Sequence, residues 1–176
     1  TLEEALPLGR LLCRVFRGGP AEPAEALQLP SAPQLDELLC QVLGDWGIQL
    51  PRPAVSSAPS LGMLPMRCGA VVMGPRGCVL ALRSTRAFAE ALAYAGTGDP
   101  HAREQADDAL MELCLMLGVR LQTRFLGGTE GGIEPCASGQ WPDRLSDVSA
   151  AVLIGDQRVE ARLWSLHGPG LEAGEA

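Results

Sequence analysis

The stretch Asp108-Ala-Leu-Met-Glu112-Leu-Cys-Leu115-Met-Leu-Gly-Val119 lies in the middle of the longest helix-compatible run of the chain, Pro100 to Phe125, with Gly127 and Gly128 beyond its end to stop it. Ala106, Leu110, Leu113, Leu117 and Leu121 recur at intervals of three and four, which predicts one stripe of a helix turned towards a core. A second stripe runs along another side: Asp108, Glu112, Leu115, Val119 and Gln122. It begins with two carboxylates and then turns apolar. A solvated helix face normally stays polar, so such a stripe is either a second buried seam or a docking surface. The plain alternative for the two acids is that they suit the positive N-terminal end of a helix and remain in water.

Outward from this helix the pattern gives an ordered set of elements. Upstream, Ser84 is the expected cap of a helix through Ala95, with Phe88, Leu92 and Ala95 on one side and Gly96 at its end. Before that, Arg67 to Met73 and Cys78 to Arg83 read as a hairpin about Gly74-Pro75-Arg76-Gly77, with Cys78 opposite Met73 and Cys68 opposite Arg83. Both strands carry apolar residues on both faces, as strands of a sheet covered by helices would. Leu61 to Met66 is a further candidate strand, and the three prolines between Ile48 and Ser60 allow only a short or edge strand there. Leu35, Leu38, Leu39, Val42, Leu43 and Trp46 mark a helix with Pro33 in its first turn and Gly47 at its exit.

Downstream, Gly128 to Pro142 is a glycine-rich loop in which Ile133 to Ala137 suits a short edge strand. Val148 to Ile154, the turn Gly155-Asp156-Gln157, and Arg158 to Leu166 predict a final hairpin. Its second strand alternates Val159, Ala161 and Leu163 with Arg158, Glu160 and Arg162, so it has a wet face or lies at an edge. Hairpins and helices in this order predict an α+β domain, a mainly antiparallel sheet with long helices packed on it. The domain is expected over 34–167, preceded by an N-terminal amphipathic helix over 1–17 and a linker over 18–33, and followed by a disordered tail over 168–176.

Composition narrows the function. The chain has 176 residues, 47% of them hydrophobic, and a formal charge of −7, so it offers neither nucleic acid nor an anionic membrane surface an attractive partner. Its fourteen basic residues are all arginine, and it contains no asparagine. Six cysteines show no Cys-x-x-Cys spacing, and only His101 and His167 could join them, which argues against a zinc site. Reduced thiols in a cytoplasmic protein are the expectation, without a membrane span or signal peptide. No phosphate loop, dinucleotide fingerprint or Gly-x-Ser-x-Gly elbow is present, and no cofactor is expected.

The element order from Leu35 to Leu166, with its glycine-flanked hairpin and the Asp108-x-x-x-Glu112-x-x-x-x-x-Gly118 helix, resembles the bacterial chemotaxis phosphatases of the CheC, CheX and FliY group. In that family a surface helix carries an acidic or hydroxyl residue, a Glu four positions later and an Asn three beyond it. The resemblance implies hydrolysis of the aspartyl phosphate on a CheY-like receiver domain. The Glu would pair with the receiver's lysine and the Asn amide would orient water in line with phosphorus. Asp108 and Glu112 match the first two positions; Leu115 stands at the third and has no group that could hold water. The resemblance therefore implies a receiver-binding or related signalling domain whose catalytic Glu112 lacks its partner, and it allows dimerisation through a sheet edge. An active phosphatase would need Gln122, or a group on the partner, to position the water. A structural adaptor acting through the N-terminal helix is the third reading.

Overall fold

The computed structural model describes residues 28–48, 52–53, 64–73, 77–99, 101–127, 131–155 and 157–166. The expected N-terminal helix and the tail lie outside them, as does the linker apart from its last residues.

Among the described residues three α-helices and six strands follow one another. Helix α1 is Ala32–Asp45, α2 is Arg86–Thr97 and α3 is Ala106–Phe125; the strands are β1 Arg52–Pro53, β2 Met66–Val72, β3 Cys78–Ser84, β4 Ile133–Cys136, β5 Val148–Ile154 and β6 Gln157–Ser165. The strands form one sheet in the order β1-β5-β6-β3-β2-β4, antiparallel at every pairing. Two hairpins, β2-β3 and β5-β6, meet through β3 and β6 at the centre, and the shortest strands, β1 and β4, occupy the edges. Short edges limit the row of unpaired backbone groups available for unwanted pairing.

Alternation along the strands builds the core. Ala70, Val72, Leu80, Leu82, Val152, Val159, Ala161 and Leu163 all point to one face and are buried. Against them α1 sets Leu35, Leu38, Leu39, Val42 and Leu43, α2 sets Phe88, Ala89, Leu92 and Ala93, and α3 sets Leu110, Leu113, Leu117 and Leu121. Each set recurs at helical spacing, which is why one apolar stripe per helix suffices to close the layer. Asp36 adds a polar tie, its carboxylate accepting from the Ala151 backbone N–H at 3.1 Å. Burial raises the pKa of Asp36, and this hydrogen bond partly opposes the rise.

Several boundaries differ from the sequence reading. Ser84 does not cap α2: it is the last residue of β3, held by pairing to Met66 and Val159, and fully buried. Thr85 is the cap, its Oγ1 accepting from the Phe88 N–H at 3.2 Å, and the helix runs past Gly96 to Gly98, which takes the left-handed conformation with φ of 70°. Ala95 is exposed. The first hairpin is shifted by one residue, pairing Cys78 with Val72 and Cys68 with Leu82, because five residues and not four separate the last paired positions. The two thiols still do not meet, and none of the five described cysteines forms a disulfide. Leu64 and Pro65 are not strand, residues 61–63 lie outside the described set, and α3 begins at Ala106 after a 3-10 turn over Ala102–Gln105. Finally, β6 is a central strand, not an edge.

Among the described residues, helices cover only one face of the sheet, whereas β2 and β3 were expected to be covered on both. On the other face Val79, Ala81, Cys136 and Trp164 form a small separate cluster joined by Val71, Trp141 and Leu166. Replacing Thr85 by Ala is expected to remove the α2 cap, cost about 1 kcal/mol and lower the melting temperature by roughly 2–4 °C. A smaller shift is expected from Ser84→Ala; thermal denaturation followed by circular dichroism distinguishes the two.

Candidate functional site

Helix α3 is fixed against its surroundings at both ends and in the middle. The Trp46 indole N–H reaches Met116 Sδ at 2.9 Å, Arg120 pairs with Asp45 at 2.6 Å, and Arg124 approaches Glu37 at 3.7 Å, all three linking it to α1 and its exit. The Cys68 thiol donates to the Leu110 carbonyl at 3.3 Å, tying the helix to β2. Gly118 permits close approach to the sheet: a Cβ there would lie 3.3 Å from Ile133 and 3.4 Å from Val72. Leu115 and Val119 therefore sit on a helix whose rotation about its own axis is set by packing.

With that rotation, the inward positions are Ala106, Leu110, Leu113, Cys114, Leu117 and Leu121, all buried. The opposite side carries Asp108, exposed, followed by Glu112, Leu115 and Val119, each half-buried, and Thr123, exposed. The structure thus brings four of the five residues of the second stripe into one outward row. Met111 and Met116 flank the row, both half-buried, and were not singled out from the sequence. Their signal was the same helical spacing, but methionine at the margin of an apolar stripe reads equally well as core.

Gln122 is the exception. It is only 5% exposed, and its amide nitrogen donates to the Met73 carbonyl at 2.9 Å and to the Gly131 carbonyl at 2.7 Å. Three positions beyond Val119, it has rotated to the edge of the stripe that faces the sheet. Its amide ties together the segments that follow β2 and precede β4, and is thereby engaged within the fold.

Glu112 is the group with the most unusual setting. Its carboxylate has no ion-pair partner among the described residues, and partial burial raises its pKa from the ordinary 4.5. A folded-state value above the unfolded one means that protonated Glu112 favours folding below about pH 4.5, and that this contribution is lost as pH rises through the folded value. At neutral pH the ionised carboxylate is a small burden on the fold that a cation from outside would relieve. Asp107 and Asp108 stand in the first turn of the helix, where the positive end of the helix dipole favours them whatever their function. Among the described residues no three of His, Cys, Asp and Glu converge as metal ligands would.

No protein-family model and no curated protein matches the sequence. The fold is similar to that of a chain in the crystal structure of the CheX-CheY-BeF3-Mg+2 complex from Borrelia burgdorferi, with a TM-score of 0.53 and 11% identity, over 78% of this chain and 99% of that one. At that identity the likeness is one of fold: an antiparallel α+β domain of the CheX type.

Proposed function

We propose that this chain is a CheX-like signalling domain that binds a receiver domain, or a related signalling partner, through the outward row of α3, without the hydrolytic step. The carrying observation is the row itself. Glu112, half-buried and without an ion-pair partner among the described residues, lies one turn from Leu115 and two from Val119 on a helix locked against α1 and β2. A desolvated carboxylate beside an apolar strip is suited to a lysine surrounded by apolar contacts, and the ion pair strengthens as the interface excludes water. Leu115 offers no donor or acceptor for an attacking water, and the loss of Gln122 to a structural role takes away the one nearby amide. The CheX-type fold supports the choice of partner.

Calorimetric titration with a beryllofluoride-activated receiver domain tests this. Glu112→Ala is expected to weaken binding by roughly tenfold or more, as truncation of one member of an interfacial charge pair does. Leu115→Arg is expected to abolish it, whereas Arg86→Ala on α2 leaves it unchanged. Equal affinities for all four proteins would remove α3 as the interface. Faster loss of receiver phosphate in the presence of the unaltered chain would remove the claim of inactivity. The same titrations carry a diagnostic contrast: Glu112→Gln is expected to bind poorly yet melt slightly higher at pH 7, with no such gain below about pH 4.5.

A further inference from the structure

The outward row of α3 is one half of a pattern whose other half stands in the same chain. The row is polarised along the helix. Asp108 and Glu112 stand at its start, half-buried Met111, Leu115 and Val119 follow along it, and Arg120 and Arg124 come towards its end. Both arginines face acids of α1, Asp45 and Glu37, and remain partly exposed. Residues 1–17, which lie outside the described residues, carry the complementary sequence. Glu3 and Glu4 come near their start, Arg14 and Arg17 at their end, and Leu8, Leu12 and Phe16 recur four apart, which helical spacing places on one face.

Laid antiparallel to α3, Leu8, Leu12 and Phe16 meet Val119, Leu115 and Met111 in turn, because both series advance in steps of four. The same direction sets Arg14 and Arg17 beside Glu112 and Asp108, and Glu3 and Glu4 beside Arg124 and Arg120. A parallel placement would set acid on acid at one end and arginine on arginine at the other. The chain has the length for the turn. Helix α1 runs antiparallel to α3, with Glu37 near Arg124 and Asp45 on Arg120, so the described chain enters α1 at the C-terminal end of α3, with Leu29 already packed on the core. From Arg124 back to Asp108 is about 24 Å along the helix axis, and residues 18–27 extend to about 33 Å. A helix of residues 1–17 is about 25 Å long, against about 30 Å for α3.

We infer that residues 1–17 fold back as a helix onto the outward row of α3, antiparallel to it, and that a receiver must displace them in order to bind. The docking follows from the two patterns and the tether; its regulatory consequence rests on the receiver reading above. Arginine beside Glu112 relieves the burden that partial burial places on the ionised carboxylate. A short tether holds its segment at an effective concentration of the order of 1 mM, which favours this occupant over the same segment of a second copy.

NMR of the full chain labelled at its methionine methyl groups tests the inference. Met111 and Met116 report on the row, and Met66, buried in the sheet, reports on the fold. Leu12→Asp combined with Phe16→Asp is expected to shift the Met111 and Met116 signals and leave Met66 in place. In the unaltered chain the Met111 methyl is expected to show an Overhauser contact with the Phe16 ring; without it the antiparallel placement falls. The same double variant is expected to bind a beryllofluoride-activated receiver roughly tenfold more tightly than the unaltered chain. Unmoved Met111 and Met116 signals overturn the docking, and signals of the unaltered chain that move to the variant's positions on dilution overturn it in favour of a second copy. Equal or weaker receiver binding by the variant overturns the regulatory role. If neither protein binds a receiver while the methyl signals still shift, the docking stands and the receiver reading falls.

Discussion

Leu115→Asn is expected to turn a receiver-binding surface into one that accelerates loss of the receiver's phosphate, by on the order of 100-fold over the unaltered chain. The expectation follows from where Leu115 stands. It is half-buried in the outward row, one turn from Glu112, on a helix whose rotation is fixed by Trp46, Asp45 and Cys68. An asparagine there would present an amide able both to donate to and to accept from a water, a capacity the isobutyl group lacks. If Glu112 already pairs with the receiver, all that the surface lacks is orientation of the attacking water, and orientation alone is worth a rate change of that size. Leu115 also packs against the edge of the core, so the substitution is expected to cost about 1 kcal/mol of stability. Release of phosphate from a freshly phosphorylated receiver, followed in time with Leu115→Asn and with Leu115→Asn combined with Glu112→Ala, checks it. The double change should return the rate to that of the receiver alone. A Leu115→Asn protein that binds normally but leaves the phosphate lifetime unaltered would show that α3 does not present its row to the phosphate.

Gln122→Ala is expected to have the largest effect on stability, about 3 kcal/mol or roughly 6–12 °C in melting temperature. The amide donates to two backbone carbonyls, of Met73 and Gly131, from a site only 5% exposed. Removing it leaves both acceptors short of a donor where water has little access, and the full desolvation penalty falls on each. Gln122→Glu should do no better, since an ionised carboxylate cannot donate to either carbonyl. The folded fraction of both variants is expected to bind a receiver with unchanged affinity, which separates this role from one on the docking surface. A melting temperature equal to that of the unaltered chain would mean that the two carbonyls find other donors.

These two residues mark the limit of what helical spacing conveys. Leu115 and Gln122 both fall on the second stripe, seven positions apart, and periodicity treats them alike. On a straight α-helix the two differ in direction by only about 20°, so what separates them is the neighbours each one meets. The carbonyls that Gln122 meets belong to the ends of β2 and β4, segments whose proximity to the end of α3 is visible only once the chain is folded. Glu160 shows the same limit in a strand. Alternation correctly separates it from Val159 and Ala161, but a central strand and the Arg162 guanidinium held on its carboxylate leave it 3% exposed in a strand expected to have a wet face or lie at an edge. The proximity of Arg67, Arg83 and Arg162 was hidden for a related reason. The three are far apart in the sequence, and only the pairing of β2, β3 and β6 sets them side by side.

By itself the sequence determined the α+β class, the three amphipathic helices, both hairpins and the short edge strands, together with the inward side of α3. Those features follow from local chain geometry, in which a side chain's direction is fixed by its place in a 3.6- or 2-residue repeat. The tertiary structure decided the one-residue register of the first hairpin, the transfer of the α2 cap from Ser84 to Thr85 and the inward turn of Gln122. Each of these depends on contacts between segments distant in the chain, where the free energy of pairing and burial outweighs the preference of any one residue.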